Sequence, residues 1–574
     1  MPSKYNILLI TNRDSDNCGD QIIEQTDISL VKAVMKNLGV PNNSFHISSR
    51  AGGIISKKYL RTRDPELLGS AQKAISECDM VLVGGAPMFN YLYQNLYERT
   101  AKIVEIAQSY EKPVVFSAIG IESYDDNNKK CQRLKTALNL PCVKQITTRD
   151  NMDALQRYKT REDLTIAHVA DPAVFTDSVF ENLLSSNKAP RKKKLIGIFV
   201  LRAKGFSDNK VPVSGKDFAK LCIDLGTELE ARGYDYRFVS SGHFSDEAFL
   251  KRLKTDYGIP SNKLIFNMNT PEQLVSTIAG FDGVISTRLH PSIVSYSLDV
   301  PSVGLAWNPK VKGFYSSINY PDRVITSAEF DAQIIIDRLE LAMSQGIQKS
   351  SEFQYSIYQY LYAGISSALN IDTAEHQIYS YDQLKKELPR FKGTSEKEEQ
   401  KKIQRKLERS YENYNKLEDA CDVAKGKAPN SNIKQGYVKR ALRDLDSLLK
   451  RKREWFILDT FITAIFTICF IVRSAHGITT ASWTGLCFVW FSFLLLGAVS
   501  AYYRRAGSRS NDFDTRVGAF SVFTYITGYY LVELAVALFI LVLQPENLFA
   551  CLVIQLVLAT AACIVLVANR LQNK

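Results

Sequence analysis

From the amino end to about residue 325, short apolar runs of strand length alternate with amphipathic stretches of helical period, and the alternation breaks once and restarts. Strands separated by helices pair in parallel, and a parallel sheet needs helices on both of its faces. The first series places strands at 5–11, 79–84, 113–119 and 145–148, with helices over 21–38 and 97–110. After the basic run at 191–194 the second series places strands at 195–201, 236–240, 263–266, 283–286 and 302–305. Between the first two of these, Phe218, Leu221, Cys222, Leu225 and Leu229 recur at steps of three and four, the buried stripe of a covering helix. The expected fold is α/β, with two Rossmann-like domains, 1–188 and 189–325, separated by a cleft and followed by closing helices over 326–393.

The chain has 574 residues, more than one core can organise, and its last third changes character. Residues 394–454 are highly charged, with an apolar stripe at Ile403, Leu407, Tyr411, Tyr414, Leu417 and Cys421. Beyond a break at 426–432 a second stripe runs through Val438, Ala441, Leu442, Leu445 and Leu449. This spacing makes a helical hairpin or short coiled coil, serving either as a solvated spacer or as a homo-oligomerisation device. Four apolar segments follow, at about 455–472, 482–501, 518–543 and 548–568, each close to the length that crosses a bilayer. The region 455–574 is therefore expected to be an all-α, four-helix transmembrane region.

Charge orients those segments. The run 450–453, then Arg504, Arg505, Arg509 and Arg516, then Arg570 and Lys574 fall on one side, leaving Arg473 and Glu546 to the other loops. By the positive-inside rule the amino-terminal domains and the carboxyl terminus face the cytoplasm, giving a multi-pass membrane protein whose partners include the lipid bilayer and, through spacer and membrane helices, a second copy. The apolar run at 5–10 is too short for a signal peptide and reads as a first strand. Glu533 lies mid-span, with Asp459 and Gln555 as further polar groups; such residues mark a pathway or pack structurally against polar neighbours.

A net charge of +12 raises the question of nucleic acid, but the basic runs lack the interleaved aromatic residues of a stacking platform, so no nucleic-acid partner is expected. The ten cysteines show neither a CxxC pair nor Cys/His spacing for zinc, which excludes a disulfide framework and a metal site and points to a reducing compartment.

The chemistry concentrates where the second series of strands ends. The apolar run from Val284 stops to present Arg288 and His290 two residues apart, and the next strand leads through residues 300–309 to Lys310. Ligands of an open parallel sheet collect beyond the carboxyl ends of its strands, so cations placed there hold an anion, a phosphorylated or carboxylated small molecule.

Several ordered landmarks resemble the polysaccharide pyruvyl transferase family from about residue 5 to about residue 320. They are 17–23 (Asn-Cys-Gly-Asp-Gln-Ile-Ile), 83–86 (Val-Gly-Gly-Ala), 117–121 (Ser-Ala-Ile-Gly-Ile), 148–150 (Thr-Arg-Asp) and 170–175 (Ala-Asp-Pro-Ala-Val-Phe). In the second half they continue through 197–202 (Gly-Ile-Phe-Val-Leu-Arg), 285–290 (Ile-Ser-Thr-Arg-Leu-His) and 301–310. The resemblance implies two facing Rossmann-like domains in a GT-B-like arrangement, and transfer of pyruvate from phosphoenolpyruvate, the donor substrate, to a sugar as a ketal. No cofactor is implied. The acceptor is a sugar of a surface or lipid-linked glycan. Ala86 stands where the family usually shows a third glycine, narrowing the room beside that loop.

Phosphoenolpyruvate is a small trianion, for which Arg202, Arg288 and Lys310 form the expected clamp. Ketal formation moves protons and suits a group titrating near neutrality, which makes His290, with Arg288, the catalytic candidate. Asp20, Gly84 and Gly85 are candidates for substrate binding. Each has a plainer role: Arg288 in a core ion pair, His290 or Asp20 as a helix cap, the glycines in a tight turn, and Arg149 with Asp150 as an internal salt bridge. At the level of function the alternative is a ligand-sensing module of this fold that controls a membrane-spanning effector, as in bacterial defence systems.

Overall fold

The computed structural model describes residues 5–92, 96–184, 191–202 and 204–424, and a compact unit ends at Tyr414. The second spacer stripe, the four apolar segments and Glu533, Asp459 and Gln555 lie outside the described residues. Among the described residues no helix is long and apolar enough to cross a membrane.

Two six-stranded sheets, all of whose recorded pairings are parallel, organise the unit. The first contains β1 (Tyr5–Thr11), β2 (Phe45–Ala51), β3 (Met80–Gly84), β4 (Val114–Ile119), β5 (Val143–Thr148) and β6 (Thr165–His168), ordered β2-β1-β3-β4-β5-β6. The second contains β7 (Leu195–Phe199), β8 (Asp235–Val239), β9 (Leu264–Ile265), β10 (Gly283–Ser286), β11 (Ser302–Leu305) and β12 (Val324–Ile325), ordered β12-β11-β10-β7-β8-β9. That second order is the doubly wound Rossmann arrangement. Every residue of β3 and β4 is buried, because helices cover both faces. The helix expected beneath β7 and β8 is Gly215–Ala231, started by a capping box between Ser214 and Asp217 and burying Phe218, Leu221, Cys222, Leu225 and Leu229.

Three strands escape the sequence pattern. β2 is Phe-His-Ile-Ser-Ser-Arg-Ala, half-buried and polar, and β6 and β12 are short edge strands. Edge strands bury less apolar surface, so their period is weak.

The first helix, Cys18–Asn37, is buried along nearly its whole length. It packs on its own sheet and also against helices Pro271–Ala279 and Leu289–Ser297 of the second domain, so Ile22, Ile23 and Leu30 share one apolar cluster with Leu274, Val275 and Ile293. The boundary between the sheets is thus tightly filled rather than an open cleft. A backbone hydrogen bond from Cys18 N to Ser241 O, 2.8 Å, crosses it where β1 and β8 end.

The carboxyl extension crosses back. Helix Ala332–Gln345 covers β10 and β11, whereas Ser351–Ala368 lies on β4 and β5. Gln145 Nε2 donates to Tyr360 O at 2.9 Å, and Tyr358 Oη donates to Asn37 Oδ1 at 2.6 Å. The chain then enters the helix Glu396–Ala424, which spans both domains at the carboxyl ends of their strands.

Candidate active site

β10 ends at Ser286, and the turn behind it is fixed by a reciprocal pair: Ser286 Oγ accepts from Arg288 N at 3.0 Å and donates to Arg288 O at 2.7 Å. Arg288 is the N-cap of Leu289–Ser297, without a side-chain cap bond, so His290 falls in the first turn and points at the facing domain.

His290 is 7% exposed. Its Nδ1 lies 3.3 Å from Asn17 Nδ2. Asn17 caps the first helix, with its Oδ1 accepting from Gly19 N at 3.2 Å, so the amide NH2 is the end that faces the imidazole. An NH2 group only donates; Nδ1 therefore accepts, and the ring proton resides on Nε2. Nε2 is buried and has no hydrogen-bond partner among the described residues. A Cβ on Gly19 would lie 2.3 Å from the ring, so glycine is what lets the helix approach.

Burial, then Arg149, Lys310 and Arg288, hold the His290 pKa well below the ordinary histidine range. The expectation of a group titrating near neutrality is corrected: His290 is a neutral imidazole offering one N–H. The cation that acts most strongly on it is Arg149, which the sequence marked only as a salt-bridge residue. Arg149 is buried and pairs with Asp171 rather than Asp150; burial works to lower its pKa, but Asp171, Asp150 and Asp20 raise it, keeping the guanidinium charged. Lys310 Nζ is 4.0 Å from Asp150 Oδ2.

Arg288 is engaged already. Its Nε and Nη2 donate to the two oxygens of Asp246 at 2.7 and 2.6 Å, and its guanidinium carbon lies 5.7 Å from the Trp307 ring centroid. Asp246 is fully buried and also accepts from Arg202 N at 2.9 Å. This is the core ion pair named above as the plainer role. The Arg202 side chain turns away to Asp208, 2.5 Å, and is 44% exposed, so it does not join Arg288, His290 and Lys310.

Asp20 is not the helix cap; that position belongs to Asn17. Asp20 is buried, accepts from Asn12 Nδ2 at 2.9 Å, and titrates above the usual range because burial outweighs Ser15, Arg149, Asn12 and Lys310. The expected ligand room at the glycine pair is occupied by protein. A Cβ on Gly84 would lie 2.2 Å from Asp27 Oδ2, and one on Gly85, whose φ is +31°, would lie 2.2 Å from Ile23 Cγ2. These glycines admit the first helix, not a ligand. Among the described residues no three His, Cys, Asp or Glu side chains are grouped to hold a metal ion.

The arrangement is thus a buried imidazole N–H, two cations not committed to a bidentate partner, and a carboxyl of raised pKa, meeting at the domain boundary. Comparison with known proteins bears on the chain and its fold. Residues 17–309, just over half of the chain, match the family described as polysaccharide pyruvyl transferase. No curated protein matches the sequence. Among solved structures, a UDP-GlcNAc 2-epimerase from Methanocaldococcus jannaschii is similar at 15% identity over 62% of this chain and 98% of that one, TM-score 0.41. E. coli ADP-heptose LPS heptosyltransferase II is similar at 15% identity over 59% of this chain and 99% of that one, TM-score 0.29.

Proposed function

The chain belongs to the polysaccharide pyruvyl transferase family, and we propose that it moves pyruvate from phosphoenolpyruvate to a sugar of a surface or lipid-linked glycan as a ketal. The observation behind this reading is His290 Nε2, a buried N–H of fixed tautomer without a partner among the described residues. A buried donor left unmade costs about 1–3 kcal/mol, a cost that an anionic oxygen of the substrate removes.

In the proposed reaction one sugar hydroxyl oxygen bonds to C2 of phosphoenolpyruvate while C3 gains a proton, turning the methylene into a methyl. A second hydroxyl of the same sugar then displaces phosphate from C2. Two hydroxyl protons leave, one ending on C3 and one on the phosphate. Arg149 and Lys310 hold the anion, His290 donates to one of its oxygens, and Asp20 relays the hydroxyl proton. Arg288, tied to Asp246, orients the start of the His290 helix. Substrate reaches Nε2 when the domains part at the Gly19–His290 contact.

The four apolar segments at 455–568 are the proposed anchor, with the two-sheet unit and carboxyl terminus on the cytoplasmic side, so that a lipid-borne acceptor is met at high local concentration. A second reading, a ligand sensor controlling a membrane effector, is favoured by the occupation of Arg202 by Asp208 and Arg288 by Asp246, which leaves the expected donor clamp incomplete.

Release of phosphate from phosphoenolpyruvate with glycan acceptors separates the two. The transferase reading expects wild-type release that His290→Ala abolishes and Arg288→Ala reduces. Release that is equal in all three proteins, or absent from the wild type across a broad acceptor panel, supports the sensor.

A further inference from the structure

Where the helix Glu396–Ala424 lies over the ends of β1 and β2, a cavity of about 460 Å³ remains between them. Six cations line it: Arg13, Arg50, Lys397, Lys401, Lys402 and Arg405. Among the described residues two carboxylates share the lining, Asp14 and Glu398, and both are committed. Arg405 holds Asp14 at 2.8 Å, and Glu398 receives Arg13 at 3.3 Å with Lys402 at 3.8 Å. Arg13 is further tied to Glu24 and to Ser49 O, and Lys402 donates to Gln21 Oε1 at 2.9 Å. Arg50, Lys397 and Lys401 make no ion pair among the described residues. Three unneutralised cations sharing one cavity repel each other unless an anion enters.

We propose that this cavity is a binding site for a diphosphate or longer phosphate chain, separate from the site at His290. The volume falls in the range of about 300–1,000 Å³ usual for small-molecule sites, and the charge excess exceeds what one phosphate neutralises. Among the described residues the lining holds no aromatic side chain, so the ligand is recognised through its phosphates and not by stacking of a base or sugar ring. The cavity lies beyond the carboxyl ends of β1 and β2, where parallel sheets take ligands, but its second wall comes from residues 395–405, outside the family match. The ligand therefore joins the first domain to the helix that leads toward the carboxyl-terminal region.

Such a phosphate chain is available from a nucleoside diphosphate or from the diphosphate of a lipid carrier, and the titration distinguishes them. Full-length protein in detergent is titrated calorimetrically with inorganic pyrophosphate, orthophosphate, uridine diphosphate and farnesyl diphosphate. Pyrophosphate is expected to bind more tightly than orthophosphate, with affinity that falls as salt rises. Replacing Arg50, Lys397 and Lys401 together by Gln is expected to weaken pyrophosphate by about tenfold or more. Replacing Lys192, Lys193 and Lys194 by Gln removes the same charge elsewhere and is expected to leave it unchanged. Farnesyl diphosphate binding more tightly than uridine diphosphate identifies a lipid-borne ligand; the reverse identifies a nucleotide. No pyrophosphate binding by the wild type, no weakening in the cavity variant, or equal weakening in both variants overturns the proposal. Because phosphate release from phosphoenolpyruvate is not the readout, this outcome is independent of the transferase reading.

Discussion

Asn17 Nδ2 stands 3.3 Å from His290 Nδ1 across the domain boundary, and this contact decides what the imidazole can do. A carboxylate in place of the amide would accept instead of donate, draw the proton to Nδ1 and favour the imidazolium. Above the pH at which the ring charges, the proton held on Nδ1 leaves Nε2 without its N–H, so Asn17→Asp is expected to lower kcat by about 10²–10³-fold, the usual worth of one donor aimed at developing charge. It should also introduce an ionisation into the kcat/KM pH profile that the wild type lacks, since His290 stays neutral down to well below the ordinary histidine range. Superimposable profiles would remove His290 from the site.

Asp246 decides the fate of Arg288. It is fully buried and holds the guanidinium through two parallel bonds while also accepting from Arg202 N. Breaking a buried ion pair by removing one partner leaves the other uncompensated at about 3–5 kcal/mol, and Arg288 is 15% exposed, so the lower end applies. Asp246→Asn is expected to lower stability by about 3 kcal/mol in urea unfolding, and Arg288→Lys to destabilise as well because an ammonium cannot span both oxygens. A loss under about 0.5 kcal/mol would mean that the pair is incidental.

The contrast between these residues explains what the sequence made legible. Arg288, His290 and Lys310 announce themselves because an apolar strand ends beside them, and strand ends are where parallel sheets do chemistry. Asp246 gives no such signal: an acidic residue in the first turn of Phe244–Thr255 reads as a partner of the helix dipole, and its burial arises from tertiary packing. Asn17 is readable as a cap but not as a ligand of His290, 273 residues away, and Gly84 is readable as conformational freedom but not as the surface on which Asp27 rests. The two sheets follow from periodicity, whereas β2 is hidden by Ser48 and Ser49.

Asp27 links that hidden packing to pH. Both of its oxygens are buried without partners among the described residues, and burial, then Asp171, opposed by Arg149, push its pKa well above the usual carboxylate range. The folded chain thus keeps a proton that the unfolded chain releases above about pH 4. The associated stability is complete below that pH and is lost as pH rises through the raised folded value. Asp27→Asn abolishes this titration. Its melting temperature relative to wild type is expected to climb as the pH is raised, the difference shrinking in acid; a difference that does not vary with pH would show that Asp27 is ionised in the folded state.

Over residues 396–414 the helix Glu396–Ala424 is held by charge rather than by apolar burial. Arg405 and Arg409 pair with Asp14 and Asp16 of the first domain, and Lys406 reaches Glu247 of the second at 2.7 Å, while Ile403, Leu407, Tyr411 and Tyr414 remain exposed. Exposed pairs contribute about 0.2–1 kcal/mol each and weaken with salt. Lys406 and Glu247 are only 13% and 14% exposed, against 52% and 45% for Arg405 and Asp14, so the less screened pair dominates. Lys406→Ala is expected to raise hydrogen exchange over residues 396–414 more than Arg405→Ala does, and added salt to raise it in the wild type. Because this helix ties together the domains that part at Gly19 and His290 in the proposed reaction, Lys406→Ala should also raise kcat/KM while leaving the fold intact. Equal protection in both variants at low and high salt would mean that the helix rests on contacts other than these ion pairs.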